Sequence, residues 1–246
     1  STINQPNLIK PKNIKSFKVL NMIKNKGHAR CNAFGIRYIN KYLKFDNIIL
    51  MDGDGEDRPV EIKNLVEKIK KKPKNSVVAK RVKRSEGPIF QFLYSSHKIL
   101  TYLFTGKKIN FGNYSCLTKL DVERLSSKPS LWSSYSGTVK KYLKDLSEID
   151  STRGVRYFGP SQMSFLKLLI HSLSIIAVFK YQVFLRSALL LLILFYLNLY
   201  LNIIVLPAQL LIIFFNLIVL IVSLREKKGD LLKSHENLKN INEIFH

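Results

Sequence analysis

Four carboxylates crowd one short stretch, Asn47-Ile-Ile-Leu-Met-Asp-Gly-Asp-Gly-Glu-Asp-Arg-Pro59: Asp52, Asp54, Glu56 and Asp57. Asp52 and Asp54 stand two apart, so in an extended backbone both side chains can face the same way. Converging hard oxygens suit Mg2+ or Mn2+, which keep coordination sites open for a substrate's phosphates. Gly53 and Gly55 would let a bulky diphosphate approach the backbone. The plainer reading is an acidic turn without a metal. A calcium loop fits less well, because the EF-hand spacing and its closing Glu are absent. A second group, Lys80-Arg-Val-Lys-Arg84, is basic and follows a short apolar run. It reads either as a solvated loop or as a clamp for the anion that a metal site invites.

The elements around these residues follow from periodicity. Ile48 to Met51 is an unbroken apolar run, expected to be a strand buried on both faces. A strand is expected over Phe17 to Asn21, then a helix from the Asn25-Lys-Gly-His28 turn to about Leu43. A second helix starts at Pro59 and stops before Pro73, and Ser76 to Ala79 is another strand. This alternation predicts an α/β layer with parallel strands, whose ligands sit at the carboxyl edge. Further on, the pattern predicts an aromatic-rich helix over Ile89 to Phe104 and a short strand or turn within Lys107 to Leu117. A helix start is expected at Asp121, a Ser-rich loop holding Trp132 and Tyr135, a helix over Thr138 to Leu146, and irregular chain over 147–160. His97 reads first as a structural residue.

The 246 residues carry a formal charge of +23, but Ser187 to Leu224 holds no charged side chain. As one helix those 38 residues would run about 57 Å, nearly twice a bilayer core of about 30 Å. Two spans, about 182–201 and 206–224, with a turn near 202–207 fit better. Residues 161–180 read as an amphipathic interfacial helix, with Lys167 and His171 among its few polar positions. Lys180 and Arg186 precede the hairpin, and Arg225, Lys227 and Lys228 follow it. The positive-inside rule then puts both ends in the cytoplasm. Residues 226–246 are expected to be a polar tail with a short helix. Two cysteines, Cys31 and Cys116, favour a reducing compartment over a disulfide framework.

In this order the segments resemble a membrane-anchored family 2 glycosyltransferase of the polyprenyl-phosphate type, like dolichol-phosphate mannose synthase and bactoprenol glucosyltransferases. Asn25-Lys-Gly-His28 resembles the family's Asn-x-Gly-His. Met51 to Pro59 resembles its Asp-x-Asp segment, and Val78 to Arg84 the strand and basic loop that follow. Phe111-Gly-Asn-Tyr114 falls where relatives often carry Gly-Asp-Phe. Tyr157 to Lys167 resembles the lead into the interfacial helix.

The resemblance implies a GT-A (Rossmann-like) fold, here without the family's first strand, so that a sheet edge is expected to lie open. It implies inverting transfer of a hexose from a nucleotide diphosphate sugar to a polyprenyl (undecaprenyl or dolichyl) phosphate at the cytoplasmic face, as in a bacterial inner membrane. Asp52 would face the nucleotide and share a Mg2+ or Mn2+ with Asp54. Arg81 and Arg84 would contact phosphates, and Lys167 would help hold the lipid phosphate. Asn113 stands where relatives often have an acid. An Asn takes no proton, which leans towards an acceptor that is already anionic, or towards an inactive relative. A glycan or other lipid acceptor is the alternative. A non-enzymatic basic protein on anionic lipid explains the charge but not the acids, and no nucleic acid partner is expected. Homo-oligomerisation stays open.

Overall fold

The computed structural model describes residues 11–83, 88–159, 164–201 and 204–245. The first strand, β1 (Phe17–Met22), is followed by helix α1 (His28–Tyr42), strand β2 (Asn47–Leu50), helix α2 (Ile62–Lys71) and strand β3 (Val77–Lys83). Helix α3 (Pro88–Thr105), strand β4 (Phe111–Thr118), helices α4 (Lys119–Ser126) and α5 (Tyr135–Tyr142) and strand β5 (Ser147–Thr152) complete the mixed α/β part. Then come α6 (Phe165–Ala177), α7 (Lys180–Leu201), α8 (Leu206–Ser223), the short α9 (Lys228–Leu232) and strand β6 (Leu238–Phe245).

The main sheet runs β2-β4-β3-β5. β4 is antiparallel to both β2 and β3, and β5 is parallel to β3. The all-parallel expectation is therefore corrected. β2, β3 and β5 point one way, and β4 runs back between β2 and β3. The consequence for function is direct. The carboxyl ends of three strands and the amino end of the fourth all reach one edge of the sheet.

One face of the sheet packs Ile48, Val78 and Leu117 against Ala33 and Ile36 of α1, Val122 and Leu125 of α4 and Val139 of α5. The other face packs Val77, Ala79 and Cys116 under Leu65 and Ile69 of α2. Helix α2 lies across β3, β4 and β5. β2 is the terminal strand, and Ile49 on that face stays 38% exposed. So β2 is buried on one face, not two. β2 closes the strand order and pairs, among the described residues, with β4 alone.

Two segments without apolar runs turn out to be ordered. The Ser-rich stretch is core: a 3-10 turn at Pro129–Trp132 leads into α5, and Trp132 and Tyr135 are buried. Its hydroxyls satisfy one another and the backbone. Thr138 Oγ1 donates to Ser134 O at 2.6 Å, and Ser134 Oγ accepts from Gly137 N–H to cap α5. Residues 147–152, expected to be irregular, form β5. Its partner β3 is far away in sequence, and burial alternates only weakly along it.

β1 forms as expected but does not join the main sheet. It pairs antiparallel with β6 of the tail in a separate two-stranded sheet. The tail, expected to hold a short helix, thus contains α9, a 3-10 turn at Ser234–Asn237 and a strand. Leu231 of α9 is fully buried in the same core as Trp132, a burial that stabilises by about 1.5–3 kcal/mol.

Helices α7 and α8 are long and apolar enough to cross a membrane, and only 11% and 17% of their apolar windows are buried. A core helix of a water-soluble protein would bury most of that surface. Pro207 sits in the first turn of α8, where its missing N–H costs nothing. Phe104 of α3 joins Ile176, Val183, Val219 and Val222 at the base of this hairpin. The aromatic helix is thus tied to the hairpin by Phe104. Its outer residues Ile99, Leu100, Tyr102 and Leu103 are exposed, as are Phe165, Leu166 and Leu169 of α6. Arg186 of α7 folds back over Gly106 and donates to Leu103 O at 3.0 Å, capping α3.

Candidate active site at one sheet edge

Asp52 stands two residues past Leu50, the last residue of β2. Its backbone N–H donates to Asp57 Oδ2 at 2.9 Å, which folds the acidic motif into a closed turn. Asp57 is 6% exposed. Burial pushes its carboxyl pKa up, and the neighbouring Asp52 and Asp54 push the same way, against the bond from Asp52 N–H and the Arg81 charge. The far end of the turn is pinned by Tyr114 of β4, whose hydroxyl donates to Arg58 O at 2.8 Å. Buried Glu61 accepts from Thr152 N–H at the end of β5.

Asn113, near the start of β4, donates its amide to Asp52 Oδ1 at 3.2 Å. His28 opens α1 on the other side. Its Nε2 lies 3.3 Å from Asp52 Oδ1 and 2.6 Å from Asn113 Nδ2. Asn32, one turn along α1, reaches the same Nε2 at 3.0 Å. The antiparallel run of β4 is what brings Asn113 to this edge. Run the other way, β4 would put Thr118 there instead.

Asp54 keeps different partners. Residues 51–57 form a turn rather than extended chain, so the expectation that the two carboxylates face the same way is corrected. Asp54 Oδ1 accepts from Glu56 N–H, and its Oδ2 lies 3.2 Å from Arg156 Nη2. Arg156 Nε donates to Glu56 Oε1 at 2.8 Å, and Arg153 also pairs with Glu56. These arginines ride on the loop after β5, which lies directly on the acidic turn. Tyr157 N–H donates to Asp54 O at 2.9 Å and Gly154 N–H to Glu56 O at 2.8 Å. Gly55 has φ +93°, and a Cβ there would sit 2.9 Å from the Tyr157 ring. A Cβ on Gly154 would sit 2.5 Å from Gly55 O. Two glycines thus allow the loops to touch.

Arg81 of β3 reaches the same edge. Its guanidinium lies over Gly112, where a Cβ would meet Nη2 at 2.6 Å, and its charge is felt by Asp57. Arg84 lies outside the described residues. Lys167 is exposed on the first turn of α6, and its backbone N–H is held by Ser164 Oγ. Among the described residues no contact joins its side chain to Asp52, Asp54 or Asn113. One turn further, His171 is exposed, yet protein massed around the ring draws its pKa down to about 4, aided by the charges of His28, His97, Arg81 and Arg225.

Among the described residues no three His, Cys, Asp or Glu side chains form a cage for a metal. Mg2+ does not need one, since it takes one or two carboxylates and completes its shell with phosphate oxygens and water. Asp52 and Asp54 are the hard carboxylate ligands that such an ion takes, with Asp52 Oδ1 turned to His28 and Asn113 and Asp54 Oδ2 turned to Arg156. Both carboxylates also raise the Asp57 pKa.

The model of the family "Glycosyl transferase family 2" matches residues 7–145, more than half of the chain. This chain belongs to glycosyl transferase family 2. No curated protein matches it. Family membership makes it a glycosyltransferase, whose donor is a nucleotide sugar. The matched span contains His28, Asp52, Asp54, Arg81 and Asn113. Arg153 and Arg156 lie beyond it. Sequence reasoning passed over both arginines, because the residues they meet are about a hundred positions away. It quoted His28 only as part of a motif, and the contact with Asp52 gives that position a chemical reason.

Proposed function

We propose that this family 2 glycosyltransferase moves a hexose, with inversion, from a nucleotide diphosphate sugar to a polyprenyl phosphate at the cytoplasmic face of a membrane. The observation that carries this reading is the combination of three features. The acidic turn supplies the donor end. The cations Arg81, Arg153 and Arg156 surround it. A largely exposed apolar hairpin follows the catalytic part.

Asp52 and Asp54 would hold Mg2+ or Mn2+, which supplies charge neutralisation for the departing diphosphate. Asn113 donates to the Asp52 carboxylate and keeps it in place, with His28 beside both. Arg81, at Gly112, is placed to meet donor or acceptor phosphate. The attacking group is a phosphate oxygen. It forms a bond to the anomeric carbon on the face opposite the leaving diphosphate, which departs with the bonding pair. A phosphate monoester has its second pKa near ~6, so it is already an anion at neutral pH and needs no base. This suits an amide at 113, whereas a sugar hydroxyl would need a proton acceptor there.

The hairpin and interfacial helix hold the site where a water-soluble donor and a lipid-bound acceptor can meet. β1 pairs with β6, so the segments before and after the hairpin lie on one side. Lys180, Arg186, Arg225, Lys227 and Lys228 at its ends support a cytoplasmic placement of that side. The test is transfer from radiolabelled UDP- and GDP-hexoses by membranes containing the protein, with added undecaprenyl or dolichyl phosphate. A solvent-extractable, mild-acid-labile product is expected. Label found only in a water-soluble glycan or polymer would move the acceptor to that class.

A further inference from the structure

The tail that follows the hairpin returns to the opposite side of the catalytic edge and grips the loop in front of His28. Asn237 does this with both ends of its amide. Its Oδ1 accepts from Lys24 N–H at 3.1 Å, and its Nδ2 donates to Lys24 O at 2.9 Å. Its backbone carbonyl accepts from Ile23 N–H at 2.8 Å. Asn237 is 7% exposed. On one side β6 continues this pairing along β1, with Lys18 3.1 Å from Glu243 and the Phe17 and Phe245 rings in contact. On the other side Leu231 anchors α9 in the core beside Trp132. From Lys24 the link to the site is short. Asn25 Oδ1 accepts from Gly27 N–H at 2.9 Å, which sets Gly27 at φ +92°. The next residue is His28, against Asp52.

We propose that Asn237 is a positioning residue for the catalytic edge: it fixes the Ile23 to Gly27 loop, and through it sets His28 against Asp52 and Asn113. The tail thereby ties the site to the membrane hairpin, since Asn237 lies fourteen residues after the end of α8. The inference takes from the preceding reading only that Asp52 belongs to the donor site. Only a carboxamide has one donor and one acceptor spaced to pair with a single residue's N–H and C=O. Asp at 237 would keep the bond from Lys24 N–H and lose the other, and Ala would lose both.

The experiment uses the full chain in lipid nanodiscs and four variants: Asn237→Ala, Asn237→Asp, His28→Ala, and Asn237→Ala with His28→Ala. By hydrogen exchange, amides 23–28 are expected to exchange at least about tenfold faster in Asn237→Ala, the factor that ~1.4 kcal/mol of lost protection gives. Asn237→Asp falls between, and strands 47–50 and 115–118 stay as in the parent. Calorimetry with Mn2+ plus UDP, and Mn2+ plus GDP, is expected to show weaker binding in each single variant, for whichever nucleotide the parent takes. The double variant should bind no more weakly than His28→Ala, because the two residues act along one path. Unchanged exchange at 23–28 overturns the proposal, and so do losses that multiply in the double variant. If the parent binds neither nucleotide, the donor reading fails, and exchange alone decides the role of Asn237. Trp132, the single tryptophan, reports by its emission whether Leu231 is still docked. If Asn237→Ala undocks it, the same readings on Asn237→Asp decide.

Discussion

Arg156 holds Asp54 from across the fold: its Nη2 lies 3.2 Å from Asp54 Oδ2, while its Nε donates to Glu56 Oε1 at 2.8 Å. A guanidinium therefore shares the carboxylate proposed to bind a divalent cation. The two positive partners compete for one side chain. Replacing Arg156 with Ala should tighten Mn2+ binding by about threefold, since a partly exposed ion pair contributes up to about 1 kcal/mol. Sugar transfer should fall at the same time, because the loop after β5 loses its hold on the turn. Mn2+ titration followed by electron paramagnetic resonance measures the first effect, and initial rates measure the second.

Asp54→Ala should abolish metal-dependent transfer, by about a hundredfold or more, the several kcal/mol expected of lost charge stabilisation. Asp52→Ala should do likewise. In both variants the Mn2+-dependent rise in melting temperature seen with a nucleotide should disappear. Full activity in a well-folded Asp54→Ala protein would remove the metal from the mechanism.

Asp57 is expected to make stability depend on pH. Its folded pKa is raised, chiefly by burial. The folded state thus binds its proton more tightly than the unfolded state does. The contribution to stability is full below the ordinary carboxyl pKa and is lost as pH rises through the raised value. Asn at this position still accepts the bond from Asp52 N–H and never ionises. Asp57→Asn should therefore gain stability over the parent as pH rises from about 4 towards 8, the unfolded carboxyl pKa being near ~3.9. Asp57→Ala strands the Asp52 N–H and should cost about 1–3 kcal/mol. Denaturant titrations across pH distinguish the two.

Gly55→Ala should destabilise the acidic turn. An L residue at φ +93° is strained, and the new Cβ would stand 2.9 Å from both the Tyr157 ring and Val155 O. Strain of this kind costs about 1–3 kcal/mol. Faster hydrogen exchange over 52–57 and 153–157, with the sheet unchanged, would mark the loss of contact between the loops.

By itself the sequence determined what short-range patterns can carry. The apolar run before Asp52, the helical stripes of α1 and α2 and the uncharged stretch of the hairpin each appear where expected. The acidic stretch took the plainer of its two readings, a turn, because the glycines let it fold back on Asp57 rather than run on as strand. Asn113 and Arg81 could be named as candidates, since family motifs are themselves short. Neither the direction of β4 nor the partner of β1 could be read this way. Both depend on which distant strand is within reach, and a run such as Phe17 to Met22 pairs equally well with several. The Ser-rich core around Thr138 was hidden for a related reason: hydroxyls look solvated until their acceptors are known.

Tertiary structure alone decided the company each carboxylate keeps. Arg156 meets Asp54, His28 meets Asp52, and Asn237 reaches Lys24 across 213 positions. Ion pairs and amide bonds of that separation leave no periodicity in a chain. They exist only because the strands bring their ends to one edge and the tail folds back beside it.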